Sequence, residues 1–260
     1  MQFFALALAL AAPIVALPTN QTTKPLEDPI ISPFPIHESC NGTEQRQIAT
    51  GLQEAVDLAA HAKEHILRWG NESAIYRKYF GNRPSITAIG AFDIIVNGFS
   101  DNVLFRCDDP DDNCRLDGWA GHWRGENATD ETVICELSYF SRRSLTTMCS
   151  QGYTIAESET NTFWATDLIH RLYHMPAIGQ AYVEHYADGY NGVLELAESN
   201  STESVHDTET LQYFALEAYA YDVVVPGEGC VGEAPEEEES EEEDIPDNCH
   251  THEGGELHCI

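Results

Sequence analysis

The chain has 260 residues, and its 13 Lys and Arg against 44 Asp and Glu give a formal charge of −31. That balance argues against nucleic acid or an anionic membrane surface as a partner, because either polyanion would be repelled. Cations would be concentrated around the molecule instead.

In chain order, residues 1–17 read as a signal peptide, an apolar run without a charged side chain that ends in small residues, with cleavage expected near Ala16 to Pro18. The run is too short to span a bilayer, and no later stretch approaches the roughly 20 apolar residues that a transmembrane helix needs. The expected protein is therefore secreted, extracellular or attached to a cell wall. N-x-S/T sequons fit export, with glycosylation expected at Asn41, Asn71, Asn127 and Asn200 and a further sequon at Asn20. Eight cysteines in an oxidising compartment should mostly pair, in one of roughly a hundred possible connectivities.

Residues 18–39 form a proline-rich arm leading to a domain over 40–230. Its first helix, QIATGLQEAVDLAAHAKEHILRWG, has Ile48, Leu52, Val56, Ala59 and Ile66 at helical spacing and Gly70 past its end. His61 and His65 also lie four apart there, and without an obvious third ligand they read as solvated or partly packed. Clusters of β-branched and aromatic residues in ITAIGAFDIIVNGFSDNVLFRC and TVICELSYF predict strands of a small sheet. The polar turn-rich segment between them contains DDPDDN, which lacks calcium-loop spacing, and Cys107 and Cys114 are placed to staple it. Helices follow over ETNTFWATDLIHRLYHMP, with Thr160 or Thr162 at its start, over GVLELAES, and over DTETLQYFALEAYAYDV, capped by Asp207 or Thr208. Trp119, Trp123 and Trp164 read as packing residues. Residues 231–248 are an acidic linker with nothing to form a core, expected to be disordered and to tether residues 249–260 as a separate unit.

The chemistry concentrates in HRLYH, residues 170 to 174. His170 and His174, at i and i+4, share a helix face and can offer nitrogens to one metal ion. Zinc peptidases carry HExxH, whose glutamate accepts a proton from zinc-bound water; here that position is Arg171, which cannot accept one. Downstream, VEHYADGYNG supplies Glu184, His185 and Asp188 in a turn within reach of the helix. A third ligand from it would complete a three-residue zinc site with one open position.

FRCDDPDDNC, VICELSYF, the histidine pair, HYADGYNGVLELAESN and LQYFALEAYA together resemble the framework of the deuterolysin or aspzincin metallopeptidases. The HRLYH form with the terminal CHTHEGGELHC is similar to one branch, the fungal secreted HRxxH proteins that include the pH-regulated antigen zincophore and related allergens. The resemblance implies an α+β, helix-rich, zincin-like domain with a small sheet, and capture of extracellular zinc for delivery to a transporter at the cell surface. It also admits host extracellular proteins as partners, and leaves room for oligomerisation. Carried over, His170 and His174 match the family histidines and Asp188 matches the aspartate ligand, ranked slightly ahead of His185.

In the tail, His250, His252 and His258 lie between Cys249 and Cys259. Oxidised, the cysteines close a loop that gathers three imidazoles; reduced, they are soft zinc ligands themselves. Imidazole must be neutral to ligate, so zinc capture should weaken as pH falls through about 6.5. The competing reading is an active zinc peptidase in which another carboxylate, Glu184, replaces the missing base. A third is an interaction or cell-wall protein whose metal sites are structural.

Overall fold

The computed structural model describes residues 30–98, 100–235, 249–251 and 257–259. The expected signal peptide, residues 18–29 of the proline-rich arm with Asn20, residues 236–248 of the acidic linker and His252 lie outside the described residues.

Helix α1 (Gly42–Trp69) begins at Asn41, whose side chain accepts from the Thr43 and Glu44 N–H groups while Glu44 reaches back to the Asn41 N–H. This reciprocal cap starts the helix five residues before the apolar periodicity becomes visible. Ile48, Leu52, Ala55, Ala59, Ala62 and Ile66 fall alternately four and three apart and are buried, so one stripe faces the interior. Against it pack α3 (Ser85–Asn97), α5 (Trp164–His174) and α9 (Thr208–Tyr219). Gly51 permits the closest approach: a Cβ there would sit 2.7 Å from Trp164 Cβ and 2.8 Å from Leu168 Cδ1.

Residues 85–97, expected as strand, are the helix α3. Ala88, Ala91, Phe92 and Ile95 are buried at i, i+3, i+4 and i+7, and this period outweighs the β-propensity of the isoleucines between them. Of the expected strand stretches only β1 (Leu104–Arg106) and β3 (Glu131–Ile134) are extended, and the latter runs into α4 (Glu136–Ser141). Helix α9 is buried on every side from Thr208 to Ala218, more deeply than a one-faced pattern predicts. Its Phe214 packs among the rings of Tyr76, Tyr79 and Phe80 from α2 (Ala74–Phe80) and Phe92 from α3. Its Glu217 accepts from Lys78 Nζ and the Tyr79 hydroxyl, both at 2.6 Å. Asp207 caps it, accepting from the Thr210 N–H at 2.8 Å, whereas α5 starts at Phe163 with no side-chain cap.

The sheet runs β1-β3-β2-β5-β4, where β2 is Gly121–Trp123, β4 Cys249–Thr251 and β5 Leu257–Cys259. β5 pairs parallel to β2, with His122 in register with Cys259. The tail is thus part of the sheet rather than a separate unit: its hairpin occupies the edge that β2 otherwise leaves open, satisfying exposed backbone groups. Disulfides join Cys40 to Cys107, Cys114 to Cys135 and Cys149 to Cys230. Cys107 and Cys114 do staple the polar loop, each by a bond outward, to the start of α1 and to the end of β3. Within that loop Asp108 and Asp111 engage Arg106 and Arg124. No helix among the described residues is long and apolar enough to cross a membrane.

Candidate metal centre

Helix α5 has Leu168, Ile169 and Leu172 fully buried, which fixes its rotation and turns His170 and His174 toward one place. After His174 the chain turns at Met175, runs through α6 (Pro176–Gly179) and reverses through Gln180 and Ala181, both at positive φ. It then returns along the start of α9, where the Glu184 N–H donates to the His206 carbonyl at 2.9 Å and the Thr208 N–H donates to the Glu184 carbonyl at 3.0 Å. This bridge delivers His185 to the histidine pair.

His170 Nε2 lies 2.9 Å from His174 Nε2, which lies 3.0 Å from His185 Nε2. The ligand atoms of all three are within 4.8 Å of one another. Ligands of a tetrahedral zinc at about 2.0–2.1 Å stand about 3.3 Å apart, close to what these nitrogens show. The donor set therefore fits a zinc ion: three imidazoles converging by the same ring nitrogen, His170 buried and the other two half-buried. Asp188, ranked first from sequence as third ligand, is outside this group and exposed, at the N-cap of α7 (Gly189–Ser199); His185 is the residue brought in. Its turn reverses at Gln180 and Ala181 and brings His185 to the histidine pair.

Asp207, buried at the head of α9, holds the His185 loop. It accepts from the Tyr186 N–H at 2.8 Å, the Ala187 N–H at 3.2 Å and the Thr210 N–H and hydroxyl at 2.8 and 2.7 Å. Burial pushes its carboxyl up to about 6, against these bonds that pull it down. Glu209 anchors the next turn, accepting from the Gly189 N–H at 2.7 Å. Neither acid was singled out as part of a site from sequence, because each acts through the backbone of a distant loop.

Arg171 does not face the histidines' convergence as a free cation. It is 1% exposed and paired with Asp167 one turn back, Nε to Oδ2 at 2.8 Å and Nη2 to Oδ1 at 3.2 Å, while Arg142 Nη2 reaches Oδ1 at 3.0 Å. Burial opposes ionisation of Asp167 most, but the two guanidiniums outweigh it and hold the carboxyl below its ordinary range. Gly121 makes room, since a Cβ there would overlap Arg171 Nη1 and the Val133 carbonyl. Beside the site a cavity of about 130 Å³ is lined by Trp123, Tyr173, His174, Pro176, Val183 and Glu184.

The other predicted positions are not among the residues grouped at this centre. Cys249 pairs with Cys259 and His250 with His258 in the backbone register of the β4–β5 hairpin. His61 Nε2 and His65 Nδ1 are 3.1 and 2.6 Å from Asp222 Oδ2, a partner presented by the π-helical turn Ala220–Val224. Of the glycosylation candidates, Asn41, Asn71 and Asn127 are exposed and Asn200 is half-buried.

A family model described as HRXXH, putative peptidase family, matches residues 4–233. The chain is 74% identical over 276 residues to Antigen 1 of Emericella nidulans, with all of each covered. It is 56% identical over 302 residues to the major allergen Asp f 2 of Aspergillus fumigatus, covering 98% of this chain and 97% of that one. To the pH-regulated antigen PRA1 of Candida albicans it is 55% identical over 201 residues, 77% of this chain and 67% of that. Among solved structures, a zinc peptidase from Grifola frondosa superposes with a TM-score of 0.50 at 16% identity, over 68% of this chain and 96% of that one, a likeness of fold that makes the domain zincin-like. The described fold, the HRLYH helix and these matches together place the chain in the HRXXH family.

Proposed function

We propose that this is a secreted zinc-binding protein whose zincin-type site captures zinc without hydrolysing peptides. The observation that carries the reading is the meeting of His170, His174 and His185 beside a helix position where Arg171 is committed to Asp167. A zinc ion held there would supply a Lewis acid. Hydrolysis further needs a group that accepts a proton, and a guanidinium paired to a buried carboxylate is not one. The Cys/His hairpin at the C-terminus, in which His250 stands opposite His258 in register, supports a second binding element with Cys249, His252 and Cys259. Captured zinc would be passed to a transporter at the cell surface, and the antigen and allergen names of the relatives support an extracellular or cell-wall location and encounters with host proteins.

Titration calorimetry with zinc tests the site. His170→Ala and His185→Ala should each weaken binding by 10-fold or more (about 1.4 kcal/mol upward), while Asp188→Ala should leave it within about twofold. Equal losses in the Asp188 and His185 variants would remove the proposed ligand set. A second reading, an active peptidase, has its own support in Glu184, which lines the same cavity as His174. Cleavage of a peptide library by the wild type but not by Glu184→Gln or His174→Ala would establish it in place of the first.

A further inference from the structure

Away from the three histidines, the polar loop and the sheet bring a second set of metal-ligating atoms together. The sulfurs of Cys114 and Cys135 and a ring nitrogen of His122 all lie within 4.8 Å of one another. His122, on β2, is 1% exposed; its Nε2 is 3.3 Å from Asp111 Oδ2 and 3.8 Å from Asp109 Oδ1, and its Nδ1 has no hydrogen-bond partner. Asp111 is held by Arg124 at 2.7 Å. Asp109 is not so engaged: Oδ2 accepts from the Cys114 N–H at 2.7 Å, and Oδ1 is buried with no hydrogen-bond partner. Buried polar atoms are nearly always hydrogen-bonded, so an imidazole beside the two sulfurs and a carboxylate beside that imidazole, each left with one such atom, call for an explanation.

We propose that opening of the Cys114–Cys135 disulfide by a low-molecular-weight thiol creates a second zinc site, with Cys114, Cys135 and His122 as ligands and Asp109 in the fourth position. Two thiol molecules transfer two electrons through a mixed disulfide; they leave as one disulfide, and Cys114 and Cys135 become thiols. Zinc binding then releases the two thiol protons, and two thiolates, an imidazole and a carboxylate make a tetrahedral set. The frame does not depend on the bond that breaks. Cys135 is held by its N–H to the Ala120 carbonyl at 2.9 Å, and β2 and β3 stay in register through His122 and Val133. Cys114 stays tied to Asp109 through its N–H. It is half-buried on the loop, where a small thiol can reach it.

Cobalt(II) is the probe, since thiolate ligands give it a charge-transfer band in the near ultraviolet that a three-imidazole site lacks. The full-length Cys249→Ser/Cys259→Ser protein, which removes the tail's own thiols, should, once treated with a thiol and freed of it, bind one further equivalent of cobalt and show the band; the same protein untreated, or thiol-treated with Cys114→Ser/Cys135→Ser added, should not. The same band in that fourfold variant, or none in the treated Cys249→Ser/Cys259→Ser protein, overturns the proposal. A measurement without variants guards against misfolding: in the thiol-treated wild type, zinc should slow alkylation of Cys114 and Cys135 on the order of tenfold while Cys40, Cys107, Cys149 and Cys230 are unaffected. Equal slowing at all cysteines, or none, overturns it as well. Both readouts are independent of whether His170, His174 and His185 hold zinc.

Discussion

At the scale of single residues, Arg171 is better understood through Asp167 than through the glutamate it stands in for. Two guanidiniums share one buried carboxylate, so removing Asp167 leaves two buried cations without their shared partner, whereas removing Arg171 leaves Asp167 paired with Arg142. Asp167→Ala should lower stability by about 3–5 kcal/mol, and Arg171→Ala by less. Asp167→Ala/Arg171→Ala should cost less than the sum of the single variants, as read by denaturant unfolding; strict additivity would show that the pair is not coupled. Arg171→Glu would set a second carboxylate beside Asp167, so a simple return to HExxH is expected to fail in folding before it can be scored for hydrolysis. Asp207 gives a second test. Its folded value of about 6 lies above its unfolded 3.8, so its contribution to stability is complete below pH about 4 and is lost as pH rises through about 6, on the order of 3 kcal/mol. Asp207→Asn cannot ionise, so its stability relative to wild type should improve by that amount between pH about 4 and 7. A gap that stays constant with pH would contradict the burial argument. The histidine pair and the altered base position were legible in the sequence because i and i+4 define a helix face. The Asp167–Arg171 pair was legible by the same spacing, yet reads as an ordinary surface ion pair until burial is known.

At the scale of elements, the site depends on how closely α5 lies against α1. Gly51→Ala should raise helix propensity by up to about 1 kcal/mol, yet its Cβ meets Trp164 Cβ and Leu168 Cδ1, backbone-near and packed atoms that cannot swing away. The expected net is a loss of about 1–3 kcal/mol and a lower melting temperature, and a higher melting temperature would show that α5 can retreat. Element type was legible where one periodicity dominated, as in α1. It was not for residues 85–97, whose isoleucines and phenylalanine suit either a strand or a helix; the choice is made by the partners that bury Ala88, Ala91, Phe92 and Ile95. That the structure groups His185 with the histidine pair, where the sequence ranked Asp188 slightly ahead, has a related reason. Which residue of a turn points at a helix is set by the backbone reversal at Gln180 and Ala181 and by the clamp from Asp207, and neither is a property of the turn's own sequence.

Across the whole molecule, the net negative charge, the disulfide-tied frame and the three converging imidazoles support the proposed attraction and retention of a cation. The tail's place beside β2 was not legible either, since strand pairing between residues more than a hundred positions apart leaves no local signature. Its docking at the edge next to His122 brings the two histidine-bearing parts of the chain into one body. The central claim is the ligand set. Anomalous diffraction at the zinc edge, from crystals of the zinc-loaded protein, reads it directly. The account predicts a peak bonded to Nε2 of His170, His174 and His185, with Arg171 turned to Asp167; a zinc peak coordinated by Asp188 in place of His185, or no peak between the three rings, would contradict it.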